Sequence, residues 1–157
     1  MTIGQILALA AAAMAAIVSG MGSSKGVGMA GETAAGVASE NPDVSSKLLV
    51  LQLLPATQGI YGFLIAVIVL INVGVLGGAI KAVTLEQGIA YLVACLPVAL
   101  VGYYSAIRQA KVSMAGMLMT GQRAELSGKG VTMAVMVETY AVFALLVSFL
   151  MVNAIAL

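Results

Sequence analysis

Apolar residues fall in four long stretches separated by short polar breaks. The first runs from Ile3 to about Val37 with only Lys25 and Glu32 as charges, and the second from Leu48 to about Ile80. The third runs from Gly88 to about Thr120 and the fourth from Val131 to Leu157. None alternates with a period of two, and Ala, Leu and Met, all good helix formers, dominate. The pattern predicts an all-α membrane protein with four transmembrane helices, at about 3–38, 48–73, 88–120 and 130–156. Two of them are long enough to project past a hydrocarbon layer of about 30 Å. The breaks carry turn residues: Ser39-Glu40-Asn41-Pro42-Asp43, then Gly74, Gly77-Gly78, Lys81 and Glu86, then Gly121 through Gly130. Two helical hairpins are expected, residues 1–80 and 81–157.

Composition sharpens this picture. The chain is 62% apolar and 8% charged, against about 45–50% and about 25% in soluble domains. So few charges cannot cover a water-facing surface, and disorder needs the opposite composition. A net charge of +1 offers no basic surface for nucleic acid. Histidine is absent and Cys95 is the single cysteine, which excludes a zinc-type site and a disulfide framework. Cys95, in an apolar run, reads as a small buried hydrophobe. No P-loop is present, so no nucleotide site and no catalysis by this chain are expected, and no cofactor.

Ala10–Ala16 looks like the core of a signal peptide, but the first positive charge, Lys25, follows it. The first span is therefore expected to be retained. Lys47, Lys111, Arg123 and Lys129 lie in or near the first and third breaks, and Lys81 alone in the second. The positive-inside rule puts residues 39–47 and 121–130 in the cytoplasm and both termini outside. The halves also read as a weak duplication. Ser19-Gly20-Met21 to Lys25 aligns with Ser105-Ala106-Ile107 to Lys111 at an offset of 86, and Ala56-Thr57 with Glu138-Thr139 at 82. Two hairpins of one design form a parallel repeat, which disfavours inverted-repeat transporters.

Glu138 is the only charge between Val131 and Leu157. It lies roughly 10–15 Å in from the cytoplasmic break at 1.5 Å per residue. An ionised carboxylate there costs at least about 2.5–3.5 kcal/mol unless paired or protonated. It is either a structural carboxylate locked to a Lys or Arg, or a cation or proton site. The second span supplies Thr57, Gln58 and Tyr61 at matching depth. Pro55 bends that helix and can turn the Leu54 carbonyl toward an ion. Gln109 adds a second amide from the third span. Each alone is compatible with ordinary interhelical hydrogen bonding. Together, one carboxylate and several neutral oxygens form a hard-cation set. One Na⁺ would neutralise it. The first span differs: Gly20, Gly22, Gly26, Gly28, Gly31 and Gly36 make a nearly side-chain-free rod. Such a helix is expected to pack against copies of itself on a tight inner circle.

These motifs match a family. SGMGSSKGVGMAGE, LQLLPATQGIYGF, SAIRQAKVSMAG and MAVMVETYA, one per span, resemble the double-hairpin proteolipid rotor subunit (c/K type) of V-type ATPases, and are similar to its bacterial sodium-pumping branch. The resemblance covers nearly the whole chain. It implies a homo-oligomeric ring in the lipid bilayer, with the first and third helices inside and the second and fourth outside. It implies Glu138 as the ion-binding carboxylate, Thr57, Gln58 and Gln109 as side-chain ligands of Na⁺, the Leu54 carbonyl as a further ligand, and Tyr61 as hydrogen-bond partner of the carboxylate. The expected partners are a stator membrane subunit supplying a cationic residue and a central stalk subunit at the cytoplasmic loops. Ala56 stands where the first hairpin would carry its own carboxylate. Arg108 departs from the pattern, since a small residue is expected before Gln109. Its guanidinium, about 100° round the helix from Gln109, reaches either toward the interface or toward a neighbouring protomer.

Two rivals remain. The same rotor could carry H⁺, with a protonated Glu138 bonding to the same oxygens. A four-span drug antiporter would need an aromatic cage, and the chain has no Trp and three Phe.

Overall fold

The computed structural model describes residues 1–157 and consists of helices and turns. Helix α1 (Ile3–Glu40) opens on Thr2, whose hydroxyl accepts the Gln5 N–H at 3.2 Å while the Gln5 side-chain oxygen accepts the Thr2 N–H at 2.7 Å. This reciprocal cap satisfies donors that a helix start otherwise leaves unpaired. Helix α4 (Leu85–Gln122) opens the same way on Thr84 and Gln87, at 3.3 and 2.8 Å.

The connections within each hairpin are tighter than the polar breaks suggest. Asn41 alone separates α1 from a single 3₁₀ turn, Pro42–Val44, which runs into α2 (Ser45–Leu53). Proline is accommodated in a helix's first turn because its missing N–H has no partner there anyway. A second 3₁₀ turn, Leu54–Ala56, leads into α3 (Thr57–Asn72). After α4, Arg123 stands in the place of Asn41, and the turn Ala124–Leu126 leads into α5 (Ser127–Ala154). The Asn41 amide donates to the Gly121 carbonyl at 3.1 Å and Lys47 Nζ to the Ala124 carbonyl at 3.0 Å, tying the two connections together. At the opposite end, Gly74 and Gly78 take φ of 85° and 77° in the link between hairpins, which glycine adopts without strain.

The equal lengths of α1 and α4, 38 residues each, correct the expected offset of 86. Thr2 and Thr84, and Asn41 and Arg123, are all 82 residues apart, the spacing that relates Ala56 to Glu138. No four-residue shift is left to place. Lys25 and Lys111 are therefore not equivalent, and the counterpart of Ser105 is Ser23 rather than Ser19.

Helices α1 and α4 make the most extensive contact. The α2–α3 segment lies against α1 and α5 against α4, with α3 also touching α4 and α5. The chain is thus two repeated hairpins in two layers. Not all of the glycines in α1 serve contacts between copies. A Cβ on Gly22 would fall 2.5 Å from Tyr103 Cα, and one on Gly26 would fall 2.9 Å from the Ala106 carbonyl. Both let α4 of the same chain approach. Gly20, Gly28 and Gly36 have nothing within 4 Å of that position and remain open. The helices Ile3–Glu40, Pro42–Asn72, Leu85–Gln122 and Ala124–Ala154 are each long and apolar enough to cross a membrane. Large apolar side chains such as Phe63 on α3 and Met136, Phe143 and Leu150 on α5 face outward. The chain is an integral membrane protein.

Candidate functional site

Pro55 shapes the first part of the site. It removes one backbone donor, and the helix tightens into the Leu54–Ala56 turn. The Leu54 carbonyl accepts the Thr57 hydroxyl at 3.0 Å as well as the Thr57 backbone N–H. Beyond the turn, the Gly59 N–H donates to Ser23 Oγ at 2.7 Å, and that hydroxyl in turn reaches the Ala56 carbonyl at 3.4 Å. Helix α1 thereby stitches the bend in place.

The bend presents Gln58 and Tyr61 to α4 and α5. Tyr61 OH donates to Glu138 Oε1 at 2.5 Å. Gln109 Nε2 donates to Glu138 Oε2 at 3.3 Å and to the Ala134 carbonyl at 3.2 Å. Gln109 Oε1 accepts from Gln58 Nε2 at 2.6 Å. Thr57 Oγ1 lies 3.4 Å from Gln58 Oε1. All six residues singled out in the sequence, Leu54, Thr57, Gln58, Tyr61, Gln109 and Glu138, are thus brought to one place on α3, α4, α5 and the turn between α2 and α3. Gln58 and Gln109 are fully buried at its back, while Leu54, Thr57, Tyr61 and Glu138 are half-buried at its open side. Glu138 stands about 16 Å along α5 from Ser127.

Both hydrogen-bonded partners of the carboxylate are neutral donors, which speaks against a carboxylate locked to a lysine or arginine. Arg108 is not among the hydrogen-bond partners of the carboxylate. It is exposed, in a groove with Leu100, Val101, Tyr104, Ser105, Val137 and Tyr140 on the flank of α4 and α5. Gln109 offers Glu138 its N–H₂ rather than its oxygen, which the ligand set alone does not anticipate. Two further residues belong to the network and were missed in the sequence. Ser23 holds the bend, and Ser105 Oγ accepts from Gln58 Nε2 at 3.4 Å and donates to the Val137 carbonyl at 3.2 Å. At the constant spacing of 82 the two serines are counterparts, and that register would have flagged them.

A family model described as the ATP synthase C subunit matches this chain twice, over residues 10–69 and 92–151, with the same spacing of 82 between copies. The chain is 44% identical over 149 residues to V-type sodium ATPase subunit K of Enterococcus hirae, an overlap covering 95% of this chain and 92% of that protein. It is 34% identical over 147 residues to A-type ATP synthase subunit K of Methanocaldococcus jannaschii, covering 93% of this chain and 61% of that protein. With most of its length matched by two tandem copies of one domain, one on each hairpin, the chain belongs to the ATP synthase C-subunit family.

Proposed function

We propose that this chain is a rotor-ring subunit of a rotary, V-type ATPase and carries Na⁺ on Glu138 while the ring turns in the membrane. The observation that supports this best is a membrane-embedded carboxylate whose two oxygens both accept from neutral donors, Tyr61 and Gln109. That arrangement satisfies an ionised carboxylate without spending a protein cation on it, so a mobile cation is left to neutralise it. A protonated Glu138 could give its own hydrogen to the Tyr61 oxygen, so this geometry admits H⁺ as well. The Enterococcus hirae relative, named a sodium ATPase subunit, favours Na⁺.

The proposed ligands are Glu138, the Thr57 hydroxyl, Gln58 Oε1 and the Leu54 carbonyl. Gln109 joins them when its oxygen leaves Gln58 and swings to the ion. Tyr61 holds the carboxylate against the ion. Oxygen donors of this kind suit a hard cation. The occupied site is net neutral and can face lipid at far lower cost than the ionised one. A stator subunit supplies the cation that displaces Na⁺, other copies complete the ring, and a central stalk meets the Pro42 and Arg123 connections. ATP hydrolysis belongs to other subunits. The termini lie outside the cell and the two tight connections in the cytoplasm of a bacterium, with the hairpins divided near residue 80.

Carbodiimide labelling of the purified oligomer tests the reading, since these reagents attack a protonated acid. Glu138 should be the single modified residue. Na⁺ should suppress the reaction and K⁺ at equal ionic strength should not. Equal protection by both ions refutes Na⁺ and leaves the proton rotor. No labelling of Glu138 under any condition refutes the carrier role.

A further inference from the structure

We propose that Ser105 is a positioning residue of this site, holding the Gln58 amide when the Gln109 oxygen is given up to the ion. The inference rests on the carrier reading above.

Two backbone carbonyls on α5 fix the direction of the whole network, because a carbonyl can only accept. The Ala134 carbonyl accepts from Gln109 Nε2 at 3.2 Å, so the Gln109 oxygen must point the other way, to Gln58. Gln58 must then present its N–H₂, which leaves Gln58 Oε1 on the Thr57 side, 3.4 Å from that hydroxyl. The Val137 carbonyl takes the Ser105 hydroxyl hydrogen at 3.2 Å, so Ser105 Oγ is left as an acceptor, and it faces Gln58 Nε2 at 3.4 Å.

In the loaded site proposed above, the Gln109 oxygen leaves Gln58, which it meets at 2.6 Å, for the ion beside Glu138. When it moves to the ion, Gln58 Nε2 loses its shorter bond. Gln58 is fully buried, and a buried N–H with no acceptor is costly. Ser105 Oγ is the acceptor that remains, already oriented by α5. It leaves the Gln58 donor partnered through the exchange, and it keeps Gln58 Oε1 aimed at the ion side. Ser105 makes its hydrogen bonds to Gln58 and the Val137 carbonyl and none to Glu138. Its effect passes through Gln58.

The test is the Na⁺ concentration that half-protects Glu138 from carbodiimide in the intact ring. Ser105→Ala should raise it between about twofold and tenfold, the range one net hydrogen bond supplies. The ring mass in native mass spectrometry controls for folding. In a Gln58→Met background the same substitution should change nothing further, since the residue it acts through has gone. An unchanged half-protecting concentration in Ser105→Ala overturns the proposal, and so does a penalty that persists beside Gln58→Met. If Na⁺ gives no protection even in the unsubstituted ring, the carrier reading falls and this proposal with it.

Discussion

Tyr61 and Glu138 lie 77 residues apart, in different hairpins, and are joined by a 2.5 Å hydrogen bond. A phenol donating to a carboxylate at that distance belongs to the stronger class of protein hydrogen bonds. Such bonds are worth about 1.5–3 kcal/mol net, or about a tenfold to hundredfold change in an equilibrium constant. Tyr61→Phe keeps the ring and removes the donor. It should raise the half-protecting Na⁺ concentration by at least about tenfold, with the oligomer still intact by native mass. A curve that overlays the unsubstituted protein would show that the bond does not survive in the cation-loaded site.

Much of this site is legible before folding because each signal is local. Glu138 is conspicuous as a lone charge in an apolar run, and Pro55 announces a bend whatever packs against it. The depth match of Thr57, Gln58, Tyr61 and Gln109 follows from counting residues along helices. What stays hidden depends on interhelical register and on direction. Ser23 and Ser105 become informative only once the hairpins are superposed at a spacing of 82. The inward turn of Gln109 N–H₂ is set by the Ala134 carbonyl, which no sequence pattern marks. Arg108 and Gln109 are neighbours in the chain, yet one is exposed and the other fully buried, because about 100° of helical rotation separates them. The Pro42 turn reads as a loop for a related reason, since polar residues at a helix start look the same as polar residues between helices.

Gln109 joins three groups at once: Gln58, Ala134 and Glu138. Gln109→Ala leaves Gln58 without its 2.6 Å partner and Glu138 without its second donor. The expected loss is about 1–3 kcal/mol of stability, seen as a lower unfolding temperature of the detergent-solubilised ring. Na⁺ protection should weaken in the same preparation. A variant with unaltered unfolding and protection would remove Gln109 from the site.

The proposed orientation is open to a direct check, because Cys95 is the one native thiol and is buried. In a Cys95→Ala background, Asp43→Cys should react with a membrane-impermeant thiol reagent only in inverted vesicles. Lys81→Cys should react only from outside intact cells. The reverse pattern would invert the topology and move the stalk contacts to the Lys81 end.

The glycines of α1 should divide into two classes by what surrounds them. At Gly22 a Cβ would sit 2.5 Å from Tyr103 Cα, and backbone atoms cannot move aside as a flexible side chain can. Gly22→Leu should therefore separate α1 from α4 and unfold the protomer itself, with loss of helical signal or of expression. Gly28 has nothing within 4 Å, so Gly28→Leu costs the protomer little. In a ring whose inner helices meet closely, the same side chain would meet the neighbouring copy, because small residues are what allow close helix approach in a membrane. Gly28→Leu should then yield a helical chain that migrates as smaller oligomers or monomers in native mass spectrometry. Intact rings from Gly28→Leu would mean that this face of α1 looks into the open centre rather than at a neighbour, and Gly20→Leu would then be the substitution that breaks the ring. Intact rings from both would leave no part of the open α1 face at a contact between copies.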